Sequence, residues 1–172
     1  RQRGRGRISE VTDAAGLARL ATGAGRAELI VDAILGTGLN SPVRGVQAQA
    51  AAAASAAGVP VLAIDIPSGL HADTGLPLGA CVQAEATATF GFAKLGQVLY
   101  PGARLCGTLA VVDIGIDAEA SAATPPRAAL LEAAQVGRLV PVRERDAHKG
   151  DAGHLLVIAG SFGKTGAAQL AV

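Results

Sequence analysis

Apolar residues along the chain gather into short runs, each ending on an acid or a glycine. Glu28 to Leu35 (ELIVDAIL) is β-rich and apolar, carries Asp32 near its end and is broken by Gly36-Thr37-Gly38. Val59 to Ile66 repeats the pattern, with Val59-Pro60-Val61-Leu62-Ala63-Ile64 leading into Asp65 and the chain turning at once through Pro67-Ser68-Gly69. Between the two runs, Ser41-Pro42 predicts a helix start, Ser capping free N–H groups and Pro sitting in the first turn. The Ala-rich stretch to Ala57 predicts the helix, and Gly58 stops it. A strand, helix, strand unit crosses over right-handed and makes its strands parallel, so Asp32 and Asp65 fall on one sheet edge. Thr87 to Phe92 (TATFGF) and Leu109 to Ile114 (LAVVDI) predict further strands, and Asp113 again places an acid at a strand end. These elements predict a doubly wound parallel α/β sheet, whose strand carboxyl ends are where such sheets bind small molecules.

After Ile116 the pattern changes. Asp117 to Arg127 is Ala, Ser, Thr and a Pro pair, which reads as a linker and a domain boundary. Beyond it, Ala128 to Leu139 predicts a short helix, His154 to Gly160 (HLLVIAG) a buried strand, and Gly166 to Val172 the start of another helix.

Composition narrows the function classes. Half of the 172 residues are hydrophobic, enough for a core, and 15 Lys and Arg against 14 Asp and Glu give a net charge of +1. No global field recruits nucleic acid or anionic lipid, and the basic run Arg1 to Arg7 reads as a solvated end. The uncharged stretch Gly45 to Ile64 is interrupted by Gln47, Gln49, Ser55, Gly58 and Pro60, so it reads as helix, turn and strand rather than a membrane span. Cys81 and Cys106 have no C-x-x-C spacing, which fits structural thiols in a reducing compartment, and a cytoplasmic location is expected. The chain contains no Met, which points to an internal piece of a longer product.

Each motif has a bland reading beside the chemical one. Gly36-Thr37-Gly38 fails the G-x-G-x-x-G fingerprint because Ser41 holds the last position; it is either a tight turn needing flexible φ or a source of N–H groups for a phosphate. Gly163-Lys164-Thr165 is not a Walker A motif, because Ile158 stands where its first glycine belongs. His148 and His154 match no compact zinc spacing. Lys94 reads as a solvated lysine or one facing an anionic ligand, and Asp65 as turn chemistry or as a catalytic or binding acid. Two aspartates at one crevice would favour the second reading, since a shared site can raise the pKa of one and hold a cation with the other.

The segment Asp32 to Leu39 (DAILGTGL), then Asp65-Ile66-Pro67-Ser68-Gly69-Leu70 with Ala72-Asp73-Thr74-Gly75, then Thr89-Phe90-Gly91 with Lys94, then Asp113 to Ile116 together resemble NAD(P)H-hydrate epimerase. His148-Lys149-Gly150, Gly153 to Ser161 and Thr165-Gly166-Ala167-Ala168 resemble the opening of the ADP-dependent NAD(P)H-hydrate dehydratase, an order that resembles the bifunctional repair enzymes of bacteria. The resemblance implies a Rossmann-like three-layer αβα domain, incomplete at its N-terminus, over 1–117, a linker over 118–127, and the first strand and helix start of a ribokinase-like α/β domain over 128–172. It implies nicotinamide cofactor repair: epimerisation of the R and S hydrates of NADH and NADPH, and dehydration of the S form with ADP or ATP and Mg2+, the nucleotide site lying outside this chain.

Carried over residue by residue, the resemblance assigns Asp32 and Ser68 to a potassium site. It assigns Gly36, Thr37, Gly38, Leu39, Asn40, Ser41, Pro42 and Asp65 to substrate, and Ala167 or Ala168 to a substrate-contacting turn of the dehydratase. Oxygen donors at strand ends suit potassium, and glycine-rich N–H groups suit a pyrophosphate. Asp65 is the expected general acid/base, because epimerising a carbinolamine-type carbon moves a proton as the hydroxyl leaves and returns. The family's upstream loop, with paired Asn and an Asp, and its downstream nucleotide-binding Gly-Asp segment have no counterpart here, so this polypeptide alone is expected to be poorly active. A catalytically inactive dinucleotide-binding module and a ribokinase-like small-molecule kinase are the competing readings. NADH against NADPH preference and homo-oligomerisation stay open.

Overall fold

Four of the apolar runs form a parallel sheet in a computed structural model that describes residues 8–24, 26–117, 128–142, 144–148, 150–151 and 153–171. The basic run Arg1 to Arg7, the linker over 118–127 and Lys149 lie outside the described residues. The chain divides into two units, Arg1–Ala128 and Ala129–Val172.

In the first unit α1 (Ala14–Ala24) precedes β1 (Ile30–Asp32), α2 (Gly45–Ala56), β2 (Val61–Ile64), β3 (Ala86–Phe90), α3 (Leu95–Val98), α4 (Gly102–Cys106) and β4 (Thr108–Val112). The strands lie in the order β1-β2-β3-β4, all parallel, with Ile30 beside Val61, Leu62 beside Ala86 and Ala86 beside Thr108. Strands β1 and β2, joined through α2, are adjacent and parallel as predicted. The order never reverses, so the switch point that defines a doubly wound sheet is not among these strands.

Two apolar clusters hold the unit together. Ala51 of α2 packs with Val61, Val82 and Ile30, the small alanine face letting the helix lie close to the strands. Ile66, Leu70 and Ala72, from the turn after β2, pack with Cys106 of α4 and Leu105. Both thiols are free, and burial pushes Cys81 up to about 12 and Cys106 up to about 11, so they are packed, protonated groups.

Element ends differ from expectation for local reasons. Ser41 does not cap α2; the residue before the helix is Arg44, without a side-chain cap, because Val43 is buried and its N–H donates to the Leu78 carbonyl (2.9 Å), drawing residues 42–44 into an extended crossing. The strand predicted over 59–66 is trimmed to β2, since Pro60 has no N–H to give a ladder and Asp65 has φ +67°. Helix α1 was outside the predicted elements, although Asp13 carries a start signal: its Oδ1 accepts the Gly16 N–H at 2.6 Å.

In the second unit, the predicted helix over 128–139 shrinks to α5 (Ala133–Gly137), and α6 (Gly166–Leu170) is the expected helix start. The strand expected over His154 to Gly160 does not form, and Leu155, Leu156 and Ile158 are exposed rather than buried. A strand needs a neighbour for its N–H and C=O groups, and among the described residues of this unit none lies beside it.

Candidate functional site

The carboxyl ends of β1, β2 and β3 bring Asp32, Asp65, Ser68, Thr89 and Lys94 to one edge of the sheet. Asp65 follows the last residue of β2, and its N–H donates to the Ala88 carbonyl of β3 at 2.8 Å, which continues the parallel ladder by one step. The chain then folds back tightly: the Ile66 N–H donates to the Ile64 carbonyl at 2.9 Å, making a three-residue γ-turn around Asp65. Strand β3 ends the same way, with the Phe92 N–H on the Phe90 carbonyl at 2.7 Å around Gly91, also at φ +67°. Glycine is the unstrained choice at such a position, and β2 places an aspartate there instead, the only positive-φ residue other than glycine among those described.

Lys94, Phe90, Gln97 and Thr89 grip that aspartate, Thr89 by donating its hydroxyl to Oδ1 at 3.5 Å. The Lys94 ammonium donates to Asp65 Oδ1 (2.5 Å), to Thr89 Oγ1 (2.8 Å) and to the Phe90 carbonyl (3.0 Å). The Phe90 N–H donates to the same Oδ1 at 3.2 Å. The buried Gln97 amide donates to the Asp65 carbonyl at 2.7 Å, and its own oxygen accepts the Lys94 N–H at 2.8 Å. Lys94 therefore starts α3 as a caged ion-pair partner, not as the solvated lysine or ligand-facing cation that the sequence offered. Burial pushes the Asp65 carboxyl up, but the Lys94 and Phe90 hydrogen bonds, the Lys94 charge and Thr89 outweigh it and hold the group below its ordinary 3.8. The raised pKa expected of a shared diaspartate site is thus not found at Asp65, because its close neighbour is a cation.

Asp32 is engaged elsewhere on the same edge. It is almost wholly buried, its Oδ2 accepts the Ser68 N–H (2.8 Å), and its Oδ1 accepts the Ser68 hydroxyl (2.6 Å) and, more weakly, the Ile34 N–H (3.3 Å). Ser68 Oγ in turn accepts the Leu35 N–H at 2.9 Å, tying β1 to the turn after β2. Among the described residues no Lys, Arg or His forms an ion pair with Asp32. Every hydrogen bond that Asp32 accepts among the described residues thus comes from a neutral donor.

The loop 36–42 lies exposed beside this edge, apart from half-buried Leu39. Neither Gly36 nor Gly38 has a positive φ, and a Cβ on either would meet nothing within 4 Å, so the tight turn needing glycine is not what forms. The N–H groups of residues 36–41 donate to no acceptor among the described residues, leaving a run of donors open to a ligand. Asp113 accepts the Gly115 N–H at 2.8 Å at the end of β4 and takes no part in the Asp65 cage. In the second unit, Ala167 and Ala168 sit on α6, whose start packs against the Gly160 turn. His148 Nδ1 accepts the Gly150 N–H at 3.2 Å, and among the described residues no group of three or more His, Cys, Asp or Glu has metal-binding geometry. No helix among those residues is long and apolar enough to cross a membrane.

A parallel sheet with helices between its strands, carrying a strained acid, its lysine partner and an open donor loop at the strand carboxyl ends, defines an α/β domain whose polar groups gather at that one edge. More specifically, the family described as YjeF-related protein N-terminus matches residues 2–96, and the chain belongs to that family. It is 45% identical over 145 residues to the bifunctional NAD(P)H-hydrate repair enzyme Nnr of Moorella thermoacetica, covering 84% of this chain and 27% of that one. It is 41% identical over 146 residues to the enzyme of the same name from Coxiella burnetii, covering 85% and 30%. With the NAD(P)H-hydrate epimerase of Levilactobacillus brevis it shares 46% over 93 residues, 54% of this chain and 43% of that one. The chain thus spans under a third of the length of these bifunctional relatives.

Proposed function

We propose that this chain is part of a nicotinamide nucleotide repair enzyme, its first unit epimerising the R and S hydrates of NADH and NADPH. The observation that carries the reading is Asp65, held ionised in a strained turn at the carboxyl edge, in a chain whose relatives bear the names of epimerases and repair enzymes. Strain kept at one acid where glycine would be unstrained is a feature of sites under functional demand.

The chemistry follows from what the edge offers. Epimerisation breaks the carbon–oxygen bond of the hydrate as the ring nitrogen's lone pair forms an iminium, and water then adds to the opposite face. The hydroxyl departs as hydroxide, the Asp65 carboxylate takes the proton of the water that adds, and the carboxylic acid so formed returns that proton to the released hydroxide, leaving the carboxylate free again. A pKa below 3.8 makes the base form the resting one. The open N–H groups of residues 36–41, with Pro42, would hold the pyrophosphate. Asp32 and Ser68 have the donor chemistry for K+, which would balance the buried carboxylate and fix the edge beside the substrate.

The sheet is read as the core of a Rossmann-like three-layer domain, and the second unit as the opening of a ribokinase-like dehydratase that uses ADP or ATP with Mg2+. Support for the second reading is the extent of the match: 84% of this chain against a bifunctional relative exceeds what the unit Arg1–Ala128 can hold.

The test follows each epimer chromatographically after adding the full gene product to mixed NADH hydrates, with and without ADP or ATP, in K+ or in a tetraalkylammonium salt. Interconversion of R and S in K+, and loss of S on adding nucleotide, are expected. Asp65→Asn, which tolerates a left-handed backbone, should slow interconversion by roughly a hundredfold or more. An unchanged Asn variant removes Asp65 from the chemistry, and binding without interconversion makes the protein a dinucleotide-binding module.

A further inference from the structure

Lys94 and Gln97 bracket Asp65 from both ends of the residue. The ammonium reaches the side chain and the amide reaches the main-chain carbonyl, and the two are tied to each other through the Lys94 N–H on Gln97 Oε1. This is half of a helix-capping arrangement; the reciprocal half cannot form, because an ammonium has no acceptor. The segment is locked from below as well. The Gly96 N–H donates to the Ala72 carbonyl at 2.6 Å, and a Cβ at Gly96 would collide with the His71 carbonyl, so no larger residue lets α3 sit this close. Gln97 is one of the largest fully buried side chains in the protein, and all its hydrogen bonds serve this one turn.

The same arrangement limits what Lys94 can do. All three of its donors are committed inside the protein, to Asp65, Thr89 and Phe90, leaving none for a substrate phosphate. On the Asp65 carboxylate, Oδ1 accepts from the Lys94 ammonium, the Phe90 N–H and the Thr89 hydroxyl, and Oδ2 has no partner among the described residues. One oxygen is therefore fixed and the other is left for chemistry.

We infer that Lys94 is a positioning residue for the epimerisation proposed above: it clamps Oδ1, with Gln97 holding the turn, so that Oδ2 is the atom presented to the substrate. This rests on that functional reading. The lysine acts through the aspartate, and its loss leaves the acid present but unaimed. Misplacing a reacting group by about an ångström can lower a rate by about a hundredfold without weakening substrate binding.

The test is the steady-state epimerisation of R-NADH hydrate by the full gene product, as wild type, Lys94→Met and Lys94→Arg, with the thermal midpoint of each. Lys94→Met should lower kcat by roughly tenfold or more while KM stays within about twofold, and Lys94→Arg should recover part of kcat by restoring a cation beside Oδ1. If the Met variant does not fold, Lys94→Gln, whose shorter neutral amide cannot reproduce the ammonium's three-way contact with Asp65, Thr89 and Phe90, carries the same comparison and should also lose kcat alone. A wild-type kcat in folded variants, or a KM that rises with kcat intact, overturns the inference, the second result meaning that the ammonium holds a substrate anion. A wild-type protein that does not epimerise overturns the functional reading itself, and the inference with it; an active wild type with an indifferent Lys94 overturns the inference alone.

Discussion

At the scale of residues, the Asp65–Lys94 pair sets a pH dependence of stability. The folded-state pKa of Asp65 lies below its unfolded value of 3.8, so the pair's contribution is complete above that value and is lost as pH falls through the folded one. Each side chain is about one-fifth exposed, so water and salt screen the pair and the contribution is of the order of 1 kcal/mol or less. Urea denaturation of wild type and Lys94→Met at pH 6 and pH 2.5 checks it: the variant should be less stable at pH 6, and the gap should narrow at pH 2.5. A gap that widens in acid would mean that Lys94 contributes by packing alone. The aspartate was legible in the sequence because a carboxylate closing an apolar run is a local pattern. Its lysine partner was not, since nothing local says that a residue 29 positions later folds back onto it; that depends on the β2–β3 register and on the turn after Phe90.

At the scale of elements, the glycines divide into those the fold requires and those it leaves free. Gly69, in the turn after Asp65, has φ +100°, and a Cβ there would collide with the Ala80 carbonyl. Gly69→Ala should therefore cost several kcal/mol and leave little folded protein, read as a lost cooperative thermal transition. Gly38 has neither a positive φ nor a neighbour within 4 Å of a Cβ. Gly38→Ala should leave the thermal midpoint unchanged within about 0.5 kcal/mol equivalent yet raise KM, on the proposal that the loop 36–42 holds substrate, because the chain itself does not need glycine there. A Gly38→Ala protein that is destabilised, or that binds as well as wild type, would contradict that division. The β1-α2-β2 unit and the strand positions were readable because apolar runs and an alanine-rich stretch bounded by Gly58 are period and composition signals. Helices α3 and α4, of four and five residues, are too short to carry any period, and they form where the turns around Gly96 and Gly107 pack against backbone.

At the scale of the whole molecule, the two units differ in how much they bury. Among the described residues, all ten buried hydrophobic residues of the core lie between Val43 and Cys106, in the first unit. In the second, Leu155, Leu156 and Ile158 are each more than four-fifths exposed, and only Val157 and Ala168 are even half-buried among its described residues. Ordering a residue costs about 1–2 kcal/mol of backbone entropy, which apolar burial must offset at roughly 25 cal/mol per Å2. A segment that buries so little cannot meet that cost alone, which is why the apolar run HLLVIAG reads as a buried strand in the sequence and is not one in this chain. Hydrogen exchange on the 172-residue polypeptide should then show protected amides along β2 and β3 and near-unprotected amides over 154–160. If the second unit opens a dehydratase domain, as proposed, the same run in the full gene product should become protected, because a sheet partner would supply its hydrogen bonds and cover the three exposed side chains. Strong protection of residues 154–160 in the 172-residue chain would show that burial is already achieved within it, and the second unit would have to be regarded as a folded body of its own.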